Sequence, residues 1–374
     1  MAKPAGPLCN LACRYCFYLD KTKLFPAGKN CRMPPAVLES FIRQYCAAWP
    51  GPEINFAWQG GEPVLAGLDF FRAAVALQRQ YAGGKIVRNA LQTNGTLLDD
   101  TWGGFLAAHQ FLVGVSVDGP PKLHNTWRVD QGGGGTYDRV ARGVRLLQQH
   151  GVEFNTLTVV SRANAGRPLE VYHFLKNLGA RFMQFIPLVE RVTAGGALAA
   201  PGEAGTVSAA SVPPKAYGEF LRAIFDEWRR GDAGKIFVQL FDVTLGNWLG
   251  AGSALCVFAP ECGAALALEH NGDVFSCDHF VYPSHRLGNL LATPLPALAA
   301  SGFQQNFGAA KSAALPRQCR ECDVLFLCHG GCPKHRFTRA ADGEPGLNYL
   351  CPAFKNFFHH SAPAMRQLRA RLAR

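Results

Sequence analysis

Cys9, Cys13 and Cys16 stand at i, i+4 and i+7 in the run Cys9-Asn10-Leu11-Ala12-Cys13-Arg14-Tyr15-Cys16-Phe17-Tyr18. Thiolates are soft ligands that select zinc or iron–sulfur clusters. A structural zinc site closes with four ligands, and the next cysteine, Cys31, lies beyond a loop-like Lys/Pro/Gly segment. Three thiolates in one tight loop suit a 4Fe–4S cubane with one iron left open to a non-protein ligand. A zinc loop or a chance crowding of cysteines is the plainer alternative. A second set follows at Cys256, Cys262, Cys277, Cys319, Cys322, Cys328, Cys332 and Cys351. Eight thiolates make two four-thiolate sites without recruiting histidine, and spacing alone suits zinc as well as clusters. Cys31 and Cys46 are left over and read most simply as small buried or surface residues.

These ligands need elements to hold them. From Glu53 onward the chain alternates short β-branched and aromatic runs with amphipathic ones. Strands are expected over Glu53–Trp58, Lys85–Gln92, Phe111–Val117, Glu153–Val160 and Phe182–Leu188, each bounded by Gly, Pro, Asn or Asp. Helices are expected over Asp69–Tyr81, Asp99–Ala108, Tyr137–Gln149 and Leu169–Asn177, the third with Val140, Val144 and Leu147 on one face. Alternation of this kind implies a parallel sheet covered by helices, and ligands then sit at the C-terminal ends of the strands. One more strand before Cys9 would give six β/α units, a partial barrel, although Met1-Ala2-Lys3-Pro4 leaves almost no room for it. A start upstream of Met1 is one expectation; a shortened first strand is the other.

Residues 190–214, rich in Ala, Gly and Pro, read as a linker. Pro214–Arg230 reads as a helix with Phe220, Ile224 and Trp228 as core. Leu266–Glu269 and Val274–Asp278 flank an Asn271-Gly272 turn and read as a hairpin. The division expected is 1–230 for the barrel and 231–374 for a cysteine-rich domain with a C-terminal helix.

Hydrophobic residues make up 48% and charged residues 17% of the chain, a globular composition. No apolar run reaches the length of a membrane helix and no signal peptide is evident, so a cytoplasmic protein is expected. Reduced thiols there read as metal ligands before disulfides, and thirteen is an odd count. The formal charge of +11 invites a nucleic-acid reading. Eleven thiolates around three +2 cluster cores would lower that excess to about +6, because ligands lose their protons on binding metal. The basic residues are spread along several helices, and the Arg-rich end, Met365 to Arg374, reads as a solvated helix end. Neither a nucleic-acid nor a membrane partner is expected.

The spacing Cys-x3-Cys-x2-Cys, with Tyr15 before the third cysteine, resembles the radical S-adenosylmethionine (SAM) signature. That resemblance implies SAM chelated to the open iron and cleaved by an electron from the cluster to a 5′-deoxyadenosyl radical. Gln59-Gly60-Gly61-Glu62-Pro63, after the first expected strand, looks like the family's GGEP motif, which holds the SAM amino group; alone it is a Gly-Pro turn. Thr93-Asn94-Gly95-Thr96 contributes Asn94, and equally fits an ordinary turn. By matching position Ser116 and Arg128 bind the SAM carboxylate, as an arginine fork suits, and Asp118 and Leu188 are grouped with them. A single loop arginine is otherwise more often solvated.

The run Cys319-x2-Cys322-x5-Cys328-x3-Cys332 resembles the SPASM extension of some radical SAM enzymes. By position it implies one auxiliary 4Fe–4S cluster on Cys256, Cys262, Cys277 and Cys332, and another on Cys319, Cys322, Cys328 and Cys351. Three clusters and SAM are therefore the cofactors expected.

Over nearly its whole length the chain is similar to anaerobic sulfatase-maturating enzymes, through Met-Ala-Lys-Pro, Cys-Asn-Leu-x-Cys-x-Tyr-Cys-Phe-Tyr, Gln-Gly-Gly-Glu-Pro, Gln-Phe-Ile-Pro-Leu-Val-Glu-Arg and Ser-Cys-Asp-His-Phe. This implies oxidation of a Cys or Ser in an unfolded sulfatase to formylglycine. The radical would take a Cβ hydrogen, Asp278 the thiol or hydroxyl proton, and an auxiliary cluster the electron. A carboxylate beside Cys277 also fits a hydrogen-bond acceptor behind the ligand, and His279 would face the other way if the strand continues. Tyr18 matches an active-site tyrosine that positions substrate or SAM. Reduced flavodoxin or ferredoxin is the electron donor implied. The alternatives are another SPASM peptide maturase, forming thioether or carbon–carbon crosslinks, and a zinc-dependent nucleic-acid-binding protein.

Overall fold

The β/α alternation survives folding almost element for element. In the computed structural model, which describes residues 1–25 and 31–372, strands run over Glu53–Trp58 (β1), Ile86–Thr93 (β2), Leu112–Ser116 (β3), Phe154–Val160 (β4), Phe182–Pro187 (β5) and Phe237–Val238 (β6). They form one sheet in that order. β1 and β2 pair in parallel with Glu53 opposite Ile86, β2 and β3 with Ala90 opposite Leu112, and β5 and β6 with Phe182 opposite Phe237. Ile54, Phe56 and Trp58 alternate into the interior of β1 and are buried, the two-residue period of a strand.

Helices Leu68–Tyr81 (α1), Asp100–Ala108 (α2), Tyr137–Gln149 (α3) and Pro168–Asn177 (α4) lie between the strands. Asp99 caps α2 by accepting from the Trp102 amide at 2.9 Å, satisfying one of the free donors of the first turn. Val140, Val144 and Leu147 of α3 are buried, as are Phe220, Ile224 and Trp228 of the helix Pro214–Gly231.

The sixth strand is not where it was expected. No strand precedes Cys9; Ala2 makes only isolated parallel bridges to Trp58 and Leu268. The sheet reaches six strands through β6 instead. Residues 1–8 are nevertheless stitched down: the Ala2 amide donates to Ala57 O at 2.8 Å, Gln59 N to Ala2 O at 3.0 Å, Gly61 N to Gly6 O at 2.8 Å and Glu62 N to Leu8 O at 2.7 Å.

A hairpin of Ala267–Leu268 with Asp273–Phe275 forms around Gly272, whose φ of +89° explains the glycine. It ends sooner than expected. Asp278–Phe280 is a 3-10 turn, so strand alternation does not decide which way Asp278 and His279 point.

By internal contacts the chain forms two compact units. One comprises Met1–Val117, His124–Thr156 and Ala264–Gln305; the other comprises Asp118–Leu123, Leu157–Gly263 and Asn306–Arg374. Residues 190–214, expected as a linker, contain two short antiparallel strands, Arg191–Val192 and Thr206–Val207. Among the described residues no helix is long and apolar enough to cross a membrane. The segment before Cys31 falls in part outside the described residues, as does the end of the Arg-rich tail.

Candidate active site and cluster cradles

The three-cysteine loop is held by the segment that carries Arg128. The Ala12 amide donates to Val129 O and the Arg14 amide to Trp127 O, both at 2.9 Å. Gln131 Nε2 donates to Cys9 O at 3.2 Å and to Leu11 O at 3.1 Å. Arg128 is buried and lies over the Tyr15 ring, 5.5 Å from its centroid, and Tyr15 packs on Trp127. Burial pushes the Cys9 thiol up to about 12 and raises Cys16 as well. A metal bound there by Cys9 and Cys16 must displace their protons.

Gln59-Gly60-Gly61-Glu62 runs along that loop. Gly60 has φ +137°, and a Cβ on Gly61 would collide with the Leu8 carbonyl. Glu62 is fully buried and accepts three hydrogen bonds. Val64 N (3.1 Å) and Thr93 Oγ1 (2.7 Å) donate to one oxygen, and Asn94 N (2.8 Å) donates to the other. Desolvation outweighs these donors and raises its carboxyl to about 7. The Asn94 side chain reaches the loop: Nδ2 donates to Asn10 Oδ1 at 2.9 Å and contacts Cys9 Sγ at 3.9 Å. Ser116 Oγ accepts from Gln92 Nε2 at 3.3 Å.

Asp118 and Leu188 belong to the other unit. Asp118 is buried with Oδ1 accepting from the Val159 amide at 3.0 Å, and the Leu188 amide donates to Val160 O at 2.8 Å.

Asp278 gathers side chains the sequence did not single out for it. Lys3, 1% exposed, ion-pairs with Oδ1, and Gln59 Nε2 donates to Oδ2 at 3.0 Å. Gln59, expected as a SAM contact, also bonds the carboxylate next to Cys277. Lys3 Nζ also sits 3.5 Å from the Tyr18 ring centroid, a desolvated cation–π contact. The Tyr18 hydroxyl donates to Glu269, which is wholly buried. Burial, then the Glu269 charge, raises the Tyr18 phenol well above its ordinary value. Lys3 and Glu269 were missed; the signal available was a lysine inside an otherwise apolar Met-Ala-Lys-Pro run. His279 packs edge-on against Phe17 at 5.6 Å.

In the second unit Cys319, Cys322, Cys328 and Cys351 line one cavity, with Val324 and Leu325 beside them. Burial lifts Cys328 to about 12 and Cys351 to about 11. Cys256, Cys262 and Cys332 lie within electrostatic reach of one another, and burial raises Cys332 to about 11. Cys277 belongs to the first unit, at the start of the Asp278 turn. Among the described residues no three His, Cys, Asp or Glu side chains converge as a site for a metal ion. An all-sulfur donor set ranged around a cavity matches a cubane cluster.

A parallel β/α sheet with an open three-thiol loop, continued by a thiol-lined extension, defines a radical SAM enzyme with a SPASM-type domain. Residues 4–175 match the family model of the radical SAM superfamily, and residues 256–323 match that of an iron–sulfur cluster-binding domain. The chain belongs to the anaerobic sulfatase-maturating enzymes. It is 46% identical to the serine-type anaerobic sulfatase-maturating enzyme of Bacteroides thetaiotaomicron, over 98% of this chain and 89% of that one. It is 34% identical to the cysteine-type enzyme of Clostridium perfringens, over 98% and 96%. The solved structure of native anSMEcpe with bound AdoMet and Kp18Cys peptide superposes with a TM-score of 0.88 at 34% identity, covering 99% of this chain and 98% of that one. Streptococcus suis SuiB bound to S-adenosylmethionine shares the fold, with a TM-score of 0.64 at 15% identity and coverage of 94% and 76%.

Proposed function

We propose that this enzyme oxidises a serine or cysteine side chain, within a short motif of an unfolded sulfatase, to formylglycine. The substrate side chain loses a hydrogen atom from Cβ, a proton from its hydroxyl or thiol, and an electron. Serine then gives the aldehyde directly; cysteine gives a thioaldehyde that water hydrolyses. When bound, SAM on a 4Fe–4S cluster held by Cys9, Cys13 and Cys16 supplies the hydrogen abstraction, and two auxiliary clusters supply the electron acceptor. The Cys319, Cys322, Cys328 and Cys351 set would hold one of these, and Cys256, Cys262, Cys277 and Cys332 the other. Glu62 and Asn94 would receive the SAM amino group, and Arg128 with Ser116 its carboxylate.

The proton falls to Asp278. The observation that carries this reading is the convergence of Lys3 and Gln59 on its two oxygens, in the same unit as the three-cysteine loop. A cation and an amide donor keep the carboxylate ionised, ready to take a proton though with less affinity for it, and holding both oxygens fixes its orientation. Tyr18, tied to Glu269 and under Lys3, would hold the Lys3 ammonium in place. Greater similarity to the serine-type relative favours serine as the preferred side chain, and reduced flavodoxin or ferredoxin is proposed as electron donor.

The test is anaerobic incubation of reconstituted enzyme with SAM, reductant and a Ser-x-Pro-x-Arg peptide or its Cys counterpart, read by mass spectrometry. Aldehyde formation together with 5′-deoxyadenosine is expected. SAM cleavage with a crosslinked peptide would assign the chain to a different peptide maturation. Asp278→Asn should still cleave SAM but form no aldehyde; full product from that variant would remove Asp278 from the role of base.

A further inference from the structure

Lys311 and Arg336 are charges that the second unit holds without an acid beside them. Lys311, 1% exposed on helix Gly302–Ala313, donates to the main-chain carbonyls of Cys256, Val257 and Ala259. Arg336, partly buried, also donates to carbonyls: Nε to Gly330 at 3.0 Å, Nη1 to Lys311 at 2.5 Å, and Nη2 to His329 at 2.9 Å and Gly331 at 3.3 Å. Among the described residues neither forms an ion pair with a carboxylate. Carbonyl dipoles solvate a cation, but a charge taken out of water ordinarily has a counter-charge.

Thiols stand where those counter-charges are needed. Lys311 lies in the electrostatic reach of Arg336, a like charge, and of Cys256, Cys262 and Cys332, which offset that repulsion. Arg336 lies in that of Cys319 and Cys328 from one set, and of Cys332 and Cys262 from the other. The backbone explains this double reach. Gly330 and Gly331, both left-handed at φ +71° and +63°, are the turn between Cys328 of one set and Cys332 of the other. Their carbonyls fold onto the guanidinium, so Arg336 sits on the covalent link between the two ligand sets.

We propose that Arg336 is a counter-charge shared by both auxiliary clusters, that Lys311 serves the Cys256, Cys262 and Cys332 set, and that the two cations raise the potentials at which these clusters accept an electron. The inference rests on the reading that both thiol sets hold clusters. A cubane with four thiolates and a +2 core has a net charge of about −2, and reduction adds another negative charge. A fixed cation favours the reduced form more than the oxidised one. Arginine remains charged at any working pH.

The experiment is an anaerobic redox titration of the full reconstituted chain, followed by electron paramagnetic resonance, with iron content measured on each sample. Arg336→Gln is expected to lower both auxiliary midpoint potentials. Lys311→Gln should lower one of them, Arg336→Lys should leave both near the wild-type values, and none should move the SAM-cluster signal. Glutamine variants with full iron and unchanged auxiliary potentials overturn the proposal, as does an equal shift of all three clusters. Should the glutamine variants fail to hold iron, Arg336→Lys decides: retained clusters support a need for charge, and lost clusters reduce the role to bracing the carbonyls. Wild-type protein with only about four irons per chain would refute the auxiliary clusters themselves, a failure visible before any variant is made.

Discussion

Replacing Glu62 by glutamine tests the proposal that this buried acid receives the SAM amino group. Both Glu62 oxygens face donors, so an amide must turn its NH2 either toward the Asn94 amide or toward Val64 N and Thr93 Oγ1. The milder choice sets one donor against another, and a buried group left unsatisfied costs about 1–3 kcal/mol. The ligand loses more directly: a hydrogen bond to an ionised acceptor contributes about 1.5–3 kcal/mol, or roughly a 10- to 150-fold change in Kd.

The pH dependence has a definite sign. Burial lifts the Glu62 carboxyl from 4.5 to about 7, so without ligand its contribution to stability is fully present below about 4.5. It is lost as pH rises through about 7, a change of about 3 kcal/mol. An amino group donating to the ionised carboxylate pulls the other way, so SAM should bind more tightly at pH 8 than at pH 6. Anaerobic equilibrium dialysis of SAM against reconstituted wild type and Glu62→Gln, across that range, measures both effects. Protonation of SAM itself is common to the two proteins and cancels in the comparison. Equal affinity, or an equal pH slope in the variant, would refute the assignment of Glu62 to the amino group.

Lys3→Met should destabilise the first unit by about 3 kcal/mol, toward the lower end for a broken buried pair, because Gln59 still holds Asp278 and the carboxylate is 17% exposed. Combined with Asp278→Asn the loss should be about 1–3 kcal/mol less than additive in thermal unfolding of the two singles and the double; strict additivity would remove the pairing. Tyr18→Phe takes away the hydroxyl that donates to Glu269 and should cost about 1–3 kcal/mol. It should lower aldehyde formed per 5′-deoxyadenosine without changing SAM affinity, and an unchanged ratio would make Tyr18 purely structural. Gly61→Ala forces a methyl into the Leu8 carbonyl, at a cost of about 1–3 kcal/mol or more. Iron content after reconstitution should drop, and a fully loaded variant would show that the loop tolerates displacement.

Local patterns carried most of the fold into view. β1 runs over Glu53–Trp58 and α3 over Tyr137–Gln149, as their alternation and helical stripe indicate. The strand expected before Cys9 is present only as isolated bridges at Ala2. β6 was not legible, because Phe237–Val238 is two residues long and gains its identity from pairing with β5. The three-cysteine loop and the GGEP-like run were legible because their chemistry lies within a few residues of one another. The surroundings of Asp278 were not, since Lys3 and Gln59 are 275 and 219 residues away along the chain and only folding brings them to it. Arg336 and Lys311 were hidden for a similar reason: in the sequence they are two basic residues among 38, and burial against carbonyls sets them apart.

Residues 1–8 are attached at several places, among them Pro4 O, which accepts from the Met33 amide at 2.8 Å. On one side their backbone bonds to Ala57 and to the Gln59–Glu62 run; on the other the Lys3 amide donates to Leu268 O at 2.9 Å and Leu268 N donates to Met1 O at 3.0 Å. The same few residues lead directly into Cys9 and carry the lysine that holds Asp278. On the proposed roles of the Cys9 loop and Asp278, hydrogen abstraction and proton removal act on neighbouring atoms of a single side chain, where a displacement of about 1 Å can cost about 100-fold in rate. A common mount converts independent fluctuations of loop and hairpin into shared ones, which leave the spacing between them unaltered. Tolerance in this enzyme therefore depends less on the rigidity of either element than on the stiffness of the short segment joined to both.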